Sequence, residues 1–262
     1  MNAVKRTIIK ALGAILPEFT KNSLLHLSYN LAPTEFERFA HVHCIGPSMT
    51  FGLRSVADRG FRPKCIVDVG AYEGAWSKIA KSIWPESDLF MFEPNFSKYE
   101  KLAKLADALR GKLYDNLLGA KNGHHVQFNL MESGSSIMSE RSPVNREIET
   151  RMLTTIDSLK INFDSPSLLK IDAQGYELEI LKGAADTLPS FEAVLLEIAL
   201  IEINEGAPLL HDVTAFMNEI GFLACEILEV HRRPLDRAMT QIDVLFVRSG
   251  SSLLSEKRYA AV

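Results

Sequence analysis

The alternation of strand and helix patterns after residue 64 constrains the fold more than any other feature of this chain. Cys65–Val69 is a short apolar run rich in β-branched residues, and apolar residues then recur at helical spacing until Pro85. The same order of strand and helix repeats further along. Further strands are predicted at 89–93, 113–118, 168–172 and 193–198, with helices at 99–108, 176–188 and 211–220. This alternation predicts an α/β fold with a mostly parallel sheet.

Two departures from the alternation are informative. Residues 121–157 carry two extended runs, 126–130 and 151–156, separated by a polar segment rich in serine, which predicts an inserted hairpin or lid. At the C-terminal end, extended runs at 222–230 and 242–247 are joined by about a dozen polar residues, too irregular for a crossover helix. We expect these two strands to pair antiparallel at the sheet edge.

The first 60 residues lack strand patterns and are interrupted by Pro33 and Pro47, so we predict an N-terminal helical cap there. The main domain is then predicted at 61–250, followed by a tail at 251–262. Residues 5–16 form a basic amphipathic pattern with no cleavage site after it. We favour docking of this face on the domain or on a second subunit over attachment to a membrane surface.

Composition excludes some function classes. The chain of 262 residues has a formal net charge of -4 and no dense Lys/Arg run, which argues against a nucleic acid partner. Cys44, Cys65 and Cys225 are odd in number and widely separated, so neither a disulfide framework nor a zinc site is expected. No apolar run reaches the length of a spanning helix. A reducing, cytoplasmic setting is therefore predicted.

The turn VDVGAYEG, residues 67–74, lies where a parallel sheet binds ligands, directly after the first strand. Gly70 and Gly74 permit a sharp turn close to a ligand, and Asp68 can accept a hydrogen bond from an ammonium group or water. Glu93 ends the second predicted strand, where a carboxylate can accept from both hydroxyls of a ribose. Together these residues predict a cofactor that contains adenosine.

The identity of that cofactor depends mainly on Tyr72. The dinucleotide fingerprint has glycine at this position because the backbone must approach a pyrophosphate. A tyrosine there would crowd a diphosphate, whereas S-adenosylmethionine carries none. The predicted antiparallel pair at the C-terminal end also argues against a dehydrogenase sheet. S-adenosylmethionine is thus favoured, with an NAD(P)-dependent oxidoreductase and a non-catalytic S-adenosylmethionine-binding subunit as the alternatives.

From about residue 65 to 247, the chain resembles the FkbM-type methyltransferases of the class I S-adenosylmethionine-dependent fold. The resemblance rests on VDVGAYEG, on FEPN at 92–95 and above all on SLLKIDAQGYELEILKG at 167–183. It implies a Rossmann-like sheet with strand order 3-2-1-4-5-7-6, an antiparallel last strand, and Ala120 beside the adenine. The candidate cofactor residues are Asp68, Gly70, Ala71, Tyr72, Gly74, Glu93, Pro94 and Ala120.

Methyl transfer to an unactivated hydroxyl requires alignment of the acceptor and a base for its proton. Asp172 and Glu197 end adjacent predicted strands and are the candidate bases, with Asp172 preferred. The alternatives are that Asp172 caps the next helix and that Glu197 forms a structural ion pair. Lys170 lies in the otherwise apolar run LLKID and needs an acidic partner, for which Glu197 and Asp68 are candidates. Its role is catalytic or purely structural.

Other polar residues are weaker candidates for a role in catalysis. His124 and His125 open the insertion, and His41 and His43 lie in the cap, but none has a placed partner. The sequence shows no dedicated metal-ligand spacing, so no essential metal is predicted. The resemblance implies O-methylation of a sugar, glycolipid or secondary metabolite.

Overall fold

A computed structural model describes residues 16–32, 47–131, 134–141 and 145–259. The chain divides into two compact units, Met1–Gly46 and Pro47–Val262. In the first unit the described helix is α1, Glu18–Leu31. The amphipathic pattern at 5–16 falls almost wholly outside the described residues. Among the residues described, no helix is long and apolar enough to cross a lipid bilayer.

The second unit begins with a helix that the sequence had placed in the N-terminal cap. This helix, α2, spans Met49–Asp58, and its Leu53 and Val56 side chains are fully buried in the core of that unit. The structure therefore puts the boundary between residues 46 and 47, not at residue 60. The physical reason is that α2 buries its apolar face against the sheet.

The large sheet contains seven strands, which are β1 Cys65–Val69, β2 Asp88–Phe92, β3 Gly111–Tyr114, β7 Ser167–Ile171, β8 Phe191–Ala199, β9 Phe222–Arg232 and β10 Met239–Arg248. Their spatial order is β3-β2-β1-β7-β8-β10-β9. Strand β10 is antiparallel to both β8 and β9, while the other neighbours are parallel. Numbered along the chain, this is the expected order 3-2-1-4-5-7-6, so the predicted fold class is confirmed.

Helices cover both faces of this sheet, as expected for strands that are apolar on both sides. Side chains of α2, α3 (Ala75–Ile83) and α4 (Phe96–Ala108) pack on one face. Side chains of α5 (Glu177–Lys182) and α6 (Leu210–Glu219) pack on the other. The helix predicted at 176–188 is shorter than expected. It ends at Lys182, and at the next residue only glycine fits, because a Cβ on Gly183 would lie 2.0 Å from the carbonyl oxygen of Gly119.

A second, three-stranded sheet stands beside the first. It consists of β4 Leu117–Leu118, β5 His125–Leu130 and β6 Glu147–Thr154, in the order β4-β6-β5. Strands β5 and β6 pair antiparallel across the predicted insertion, and β4 joins them in parallel. The run predicted as one strand at 113–118 is therefore two strands. The chain leaves the large sheet after Tyr114, and Leu117 pairs with Leu153 instead.

Candidate active site

The turn after β1 brings the ends of three strands together. Gly70 adopts a φ of 76°, and a Cβ there would lie 2.0 Å from the backbone oxygen of Asp172. Only glycine therefore allows the ends of β1 and β7 to approach this closely. The backbone N–H of Tyr72 donates to Glu93 Oε2 at 2.7 Å, which ties the turn to the end of β2.

Glu93 is the best-placed of the predicted cofactor residues. Its side chain lines a cavity, and its Oε1 accepts from the backbone N–H of Asn95 at 2.8 Å. Burial raises the pKa of Glu93, although these backbone hydrogen bonds work against the rise. Each carboxylate oxygen has a second lone pair, so both can still accept from a ribose hydroxyl.

The cavity runs from the end of β2 to the end of β7. Besides Glu93, its lining includes Gly70, Tyr72 and Pro94 of the predicted set. The apolar part of its lining comes from both sheets, from α5 and from the segment between β5 and β6, namely Phe92, Leu117, Leu118, Phe128, Ile137 and Ile180. An apolar wall beside a pair of open carboxylate acceptors fits an adenosine group.

Four predicted cofactor residues do not line this cavity: Asp68, Ala71, Gly74 and Ala120. Gly74 instead lets α3 start against α4, since a Cβ there would lie 2.2 Å from Leu105. Ala120 follows β4 and does not line the cavity, whereas residues 116–118 do. The sequence gives no sign that β3 ends at Tyr114 and that the chain then changes sheets.

Asp68 is fully buried, and its carboxylate contacts other side chains of the protein. Its Oδ2 accepts from Ser77 Oγ at 2.6 Å, and its Oδ1 lies 3.3 Å from Lys170 Nζ. Lys170 thus places an ammonium group beside Asp68. The same Nζ lies 3.4 Å from Asp172 Oδ2 and donates to the carbonyl of Gly70 at 3.2 Å.

The charge state of Lys170 follows from these contacts. Burial of the ammonium group lowers its pKa, but the charges of Asp68 and Asp172 outweigh that effect and hold the pKa above its usual value. Lysine is therefore the charged partner of both carboxylates. Glu197, the other partner considered from the sequence, makes no ion pair with it among the described residues.

Asp172 and Glu197 lie together at the carboxyl ends of β7 and β8. The Gln174 side-chain amide donates to Asp172 Oδ1 at 3.0 Å and to Glu197 Oε2 at 2.6 Å. Gln241 also donates to Glu197 Oε2, at 2.7 Å. Asp172 and Gln174 line the cavity that contains Glu93, whereas Glu197 and Gln241 line a smaller one that also contains Gln174.

The two acids have opposite protonation tendencies. Burial would raise the pKa of Asp172, but the Lys170 charge and the Gln174 amide lower it below its ordinary value. Burial raises the pKa of Glu197 well above its ordinary value, and the charges of Asp172, Asp243 and Glu177 add to the rise. Asp172 is accordingly the carboxylate and Glu197 the proton holder of this pair.

Glu177, not Asp172, caps the loop before α5, whereas Glu197 does have one contact of the ion-pair kind. The loop before α5 is capped by Glu177, which accepts from the N–H groups of Ala173 and Gly175 at 2.9 and 3.0 Å. This contact joins Glu197 Oε1 to His231 Nε2 at a distance of 3.9 Å.

Several polar residues near the site had no role in the sequence analysis. They are Gln174, Gln241, His231 and Asp243. The motif at 167–183 contains Gln174, so that residue could have been noticed there. The other three lie on β9 and β10, and only the pairing of these strands brings them near β8. His125 begins β5, His124 precedes it and both are exposed, whereas His41 and His43 lie outside the described residues.

Comparison with known proteins identifies the family. The model of the "Methyltransferase FkbM domain" matches residues 68–224, which is more than half of the chain. The hexuronic acid methyltransferase AglP of Haloferax volcanii is 26% identical over 191 residues, which cover 69% of this chain and 72% of AglP.

The chain is also similar to two solved structures. A methyltransferase FkbM from Methylobacillus flagellatus KT is 18% identical with a TM-score of 0.45, over 70% of this chain and 43% of that one. Magnesium protoporphyrin IX methyltransferase from Synechocystis PCC 6803, solved with bound S-adenosylmethionine, is 11% identical with a TM-score of 0.46, over 87% of this chain and 96% of that one. On the match of the domain model, the chain belongs to the FkbM methyltransferase family.

Proposed function

We propose that this protein is an S-adenosylmethionine-dependent O-methyltransferase acting on a hydroxyl group of a sugar, glycolipid or secondary metabolite. The observation that carries the proposal is a single cavity that holds Glu93 at one end and Asp172 at the other. The first suits the ribose of the cofactor, and the second suits an acceptor hydroxyl. The similarity to a hexuronic acid methyltransferase supports a carbohydrate among these acceptors.

The residues present fit S-adenosylmethionine. Glu93 has lone pairs free for the ribose, and the apolar wall contributed by both sheets suits adenine. When bound, this cofactor supplies an electrophilic methyl group on a sulfonium. We therefore propose Gly70, Tyr72, Glu93 and Pro94 as residues that contact it. Asp68 and Gly74 would shape the turn from behind.

Asp172 is the proposed base. Its carboxylate is a third exposed and lines the cavity, so an acceptor hydroxyl can donate to it. As the methyl group moves to the oxygen, the hydroxyl proton passes to Asp172. Lys170 and Gln174 fix the carboxylate in place, and Glu197 is held beside it through Gln174. Lys170 and Glu197 are thus proposed as positioning residues.

Cofactor choice can be tested by thermal unfolding with S-adenosylhomocysteine or NAD. A ligand that binds the folded state raises the unfolding temperature by mass action, and we expect this from S-adenosylhomocysteine alone. Glu93→Gln should weaken its binding about tenfold, measured by calorimetry, because one acceptor oxygen becomes a donor. Glu100→Gln changes an exposed acid paired with Lys104 and is the control. Stabilisation by NAD alone would refute the proposal.

The bond formed can be tested with cofactor labelled in its methyl group. Neutral glycosides and uronosides are offered as acceptors, and the labelled product is treated with mild alkali. Transfer to a hydroxyl gives an ether, which retains the label, whereas transfer to a carboxylate gives an ester, which loses it. An alkali-labile product from uronosides alone would overturn methylation of a hydroxyl.

The cysteines of the chain also suggest the cellular compartment in which the reaction takes place. Cys65 and Cys225 are free thiols, which agrees with a reducing, cytoplasmic compartment. Cell fractionation with an antibody against the protein checks this, and recovery in a secreted fraction would contradict it.

A further inference from the structure

Three metal-ligating side chains converge on the β9–β10 hairpin. Asp243 on β10 is the register partner of Glu229 on β9, and His231 lies two residues further along β9 on the same face. One ligand atom from each of the three lies within 4.8 Å of the other two. None of these three residues is the proposed base, and none lines the cofactor cavity.

The charges of this group are unbalanced. Two acids directly opposite each other on neighbouring strands repel, and Asp243 is only 8% exposed. His231 Nε2 contacts Asp243 Oδ2 at 2.6 Å and approaches Glu197 Oε1 to 3.9 Å. Among the described residues, no hydrogen bond reaches the Glu229 carboxylate. One imidazole therefore faces the two acids Glu229 and Asp243, while Glu197 nearby holds a proton.

We propose that Glu229, His231 and Asp243 bind a divalent cation of the first transition row, for which Mn²⁺ is the probe. One imidazole nitrogen and two carboxylate oxygens form a mixed donor set that such ions accept, whereas Mg²⁺ and Ca²⁺ prefer oxygen alone. The cation takes the place of the proton between His231 and Asp243 and joins Glu229 to them. Its remaining positions are open to water or to oxygen atoms of a ligand.

This proposal departs from the expectation that the chain has no metal site. The Glu-x-His spacing at 229–231 is too common to indicate a metal, and the third ligand becomes a neighbour only through the antiparallel register. The site does not depend on methyl transfer, because cation binding can be measured without cofactor or acceptor.

The test is a titration of the purified chain with Mn²⁺, followed by the electron paramagnetic resonance signal of the free ion. We expect one tight site in the wild type. Glu229→Gln and His231→Gln should each weaken binding about tenfold or more. Glu226→Gln, on the same strand but paired with Arg59, should bind as the wild type does. Thermal unfolding confirms that each variant is folded.

A second measurement needs no variant of the site. Paramagnetic Mn²⁺ should broaden the ring signals of His231 in the wild type while those of His211 stay sharp. The absence of a tight site, or a site retained in Glu229→Gln and His231→Gln, would overturn the proposal. Loss of the site in Glu197→Gln with full binding in Glu229→Gln would place the ion elsewhere and would overturn it too.

Discussion

Lys170 shows how one buried charge organises the end of the sheet. It lies in the central strand β7, and its ammonium group is held between Asp68 of β1 and Asp172 after β7. The side chains of Lys170 and Asp68 are 6% and 0% exposed, so neither is solvated. Each depends on the other because an unpaired buried charge is costly.

Lys170→Met should therefore reduce stability strongly. We expect the free energy of unfolding in urea to fall by about 3–5 kcal/mol, since Asp68 is left as an uncompensated buried charge. Adding Asp68→Asn should restore part of the loss. Lys182→Met removes an exposed pair with Glu179 and should cost about 0–1 kcal/mol.

Turnover per folded molecule of the Lys170→Met variant then separates the two roles of the lysine. We expect a lower rate, because Asp172 loses the Lys170 charge that positions it. Unchanged turnover would assign Lys170 to structure alone.

At the scale of elements, the loop between β7 and α5 depends on Glu177. Its buried carboxylate accepts from the N–H groups of Ala173 and Gly175, and so fixes the loop that carries Asp172 and Gln174. Burial raises the pKa of Glu177 to about 7, although these hydrogen bonds oppose the rise. The loop is therefore held by a group that titrates near neutral pH.

The pH dependence of stability should report this group. The pKa of Glu177 is higher in the folded than in the unfolded state, so between pH 4.5 and about 7 the folded state binds more protons. Its contribution to stability falls as pH rises through that window. Glu177→Gln keeps an acceptor oxygen without the charge. From pH 4.5 to 7, the free energy of unfolding of this variant should rise by on the order of 3 kcal/mol relative to that of the wild type.

Urea unfolding at several pH values provides the measurement. Glu179→Gln, in the same helix and more exposed, is the control for the change in net charge. Parallel pH profiles of the wild type and Glu177→Gln would contradict the assignment.

At the scale of the whole molecule, the second unit has the layers of a complete α/β fold. Helices cover both faces of its large sheet, and α2 contributes Leu53 and Val56 to the core. The packing of α2 on β9 is close enough that a Cβ at Gly52 would lie 2.2 Å from Leu228. The helix is thus part of the domain.

Truncation tests this boundary. A fragment of residues 47–262 should unfold cooperatively and bind S-adenosylhomocysteine as the full chain does. A fragment of residues 61–262 lacks α2, exposes apolar surface of the sheet and should aggregate or unfold at a lower temperature. Circular dichroism and calorimetry measure both. Equal behaviour of the two fragments would restore the boundary at residue 60.

The sequence alone was enough for the class of fold and for several residues that line the larger cavity. Strand and helix periodicities are local, and Glu93 follows its strand directly, so both can be read without tertiary information. Lys170 was recognisable as a charge in an apolar strand, and its pairing with Asp68 followed from adjacent strands.

The tertiary structure decided what depends on strand pairing. It separated β4 from β3, which brought residues 116–118 rather than Ala120 to the lining of the larger cavity, and it transferred α2 from the cap to the domain. It also brought Glu229, His231 and Asp243 together across an antiparallel register. Contacts between residues distant in the chain depend on which strands meet, and local periodicity does not contain that information.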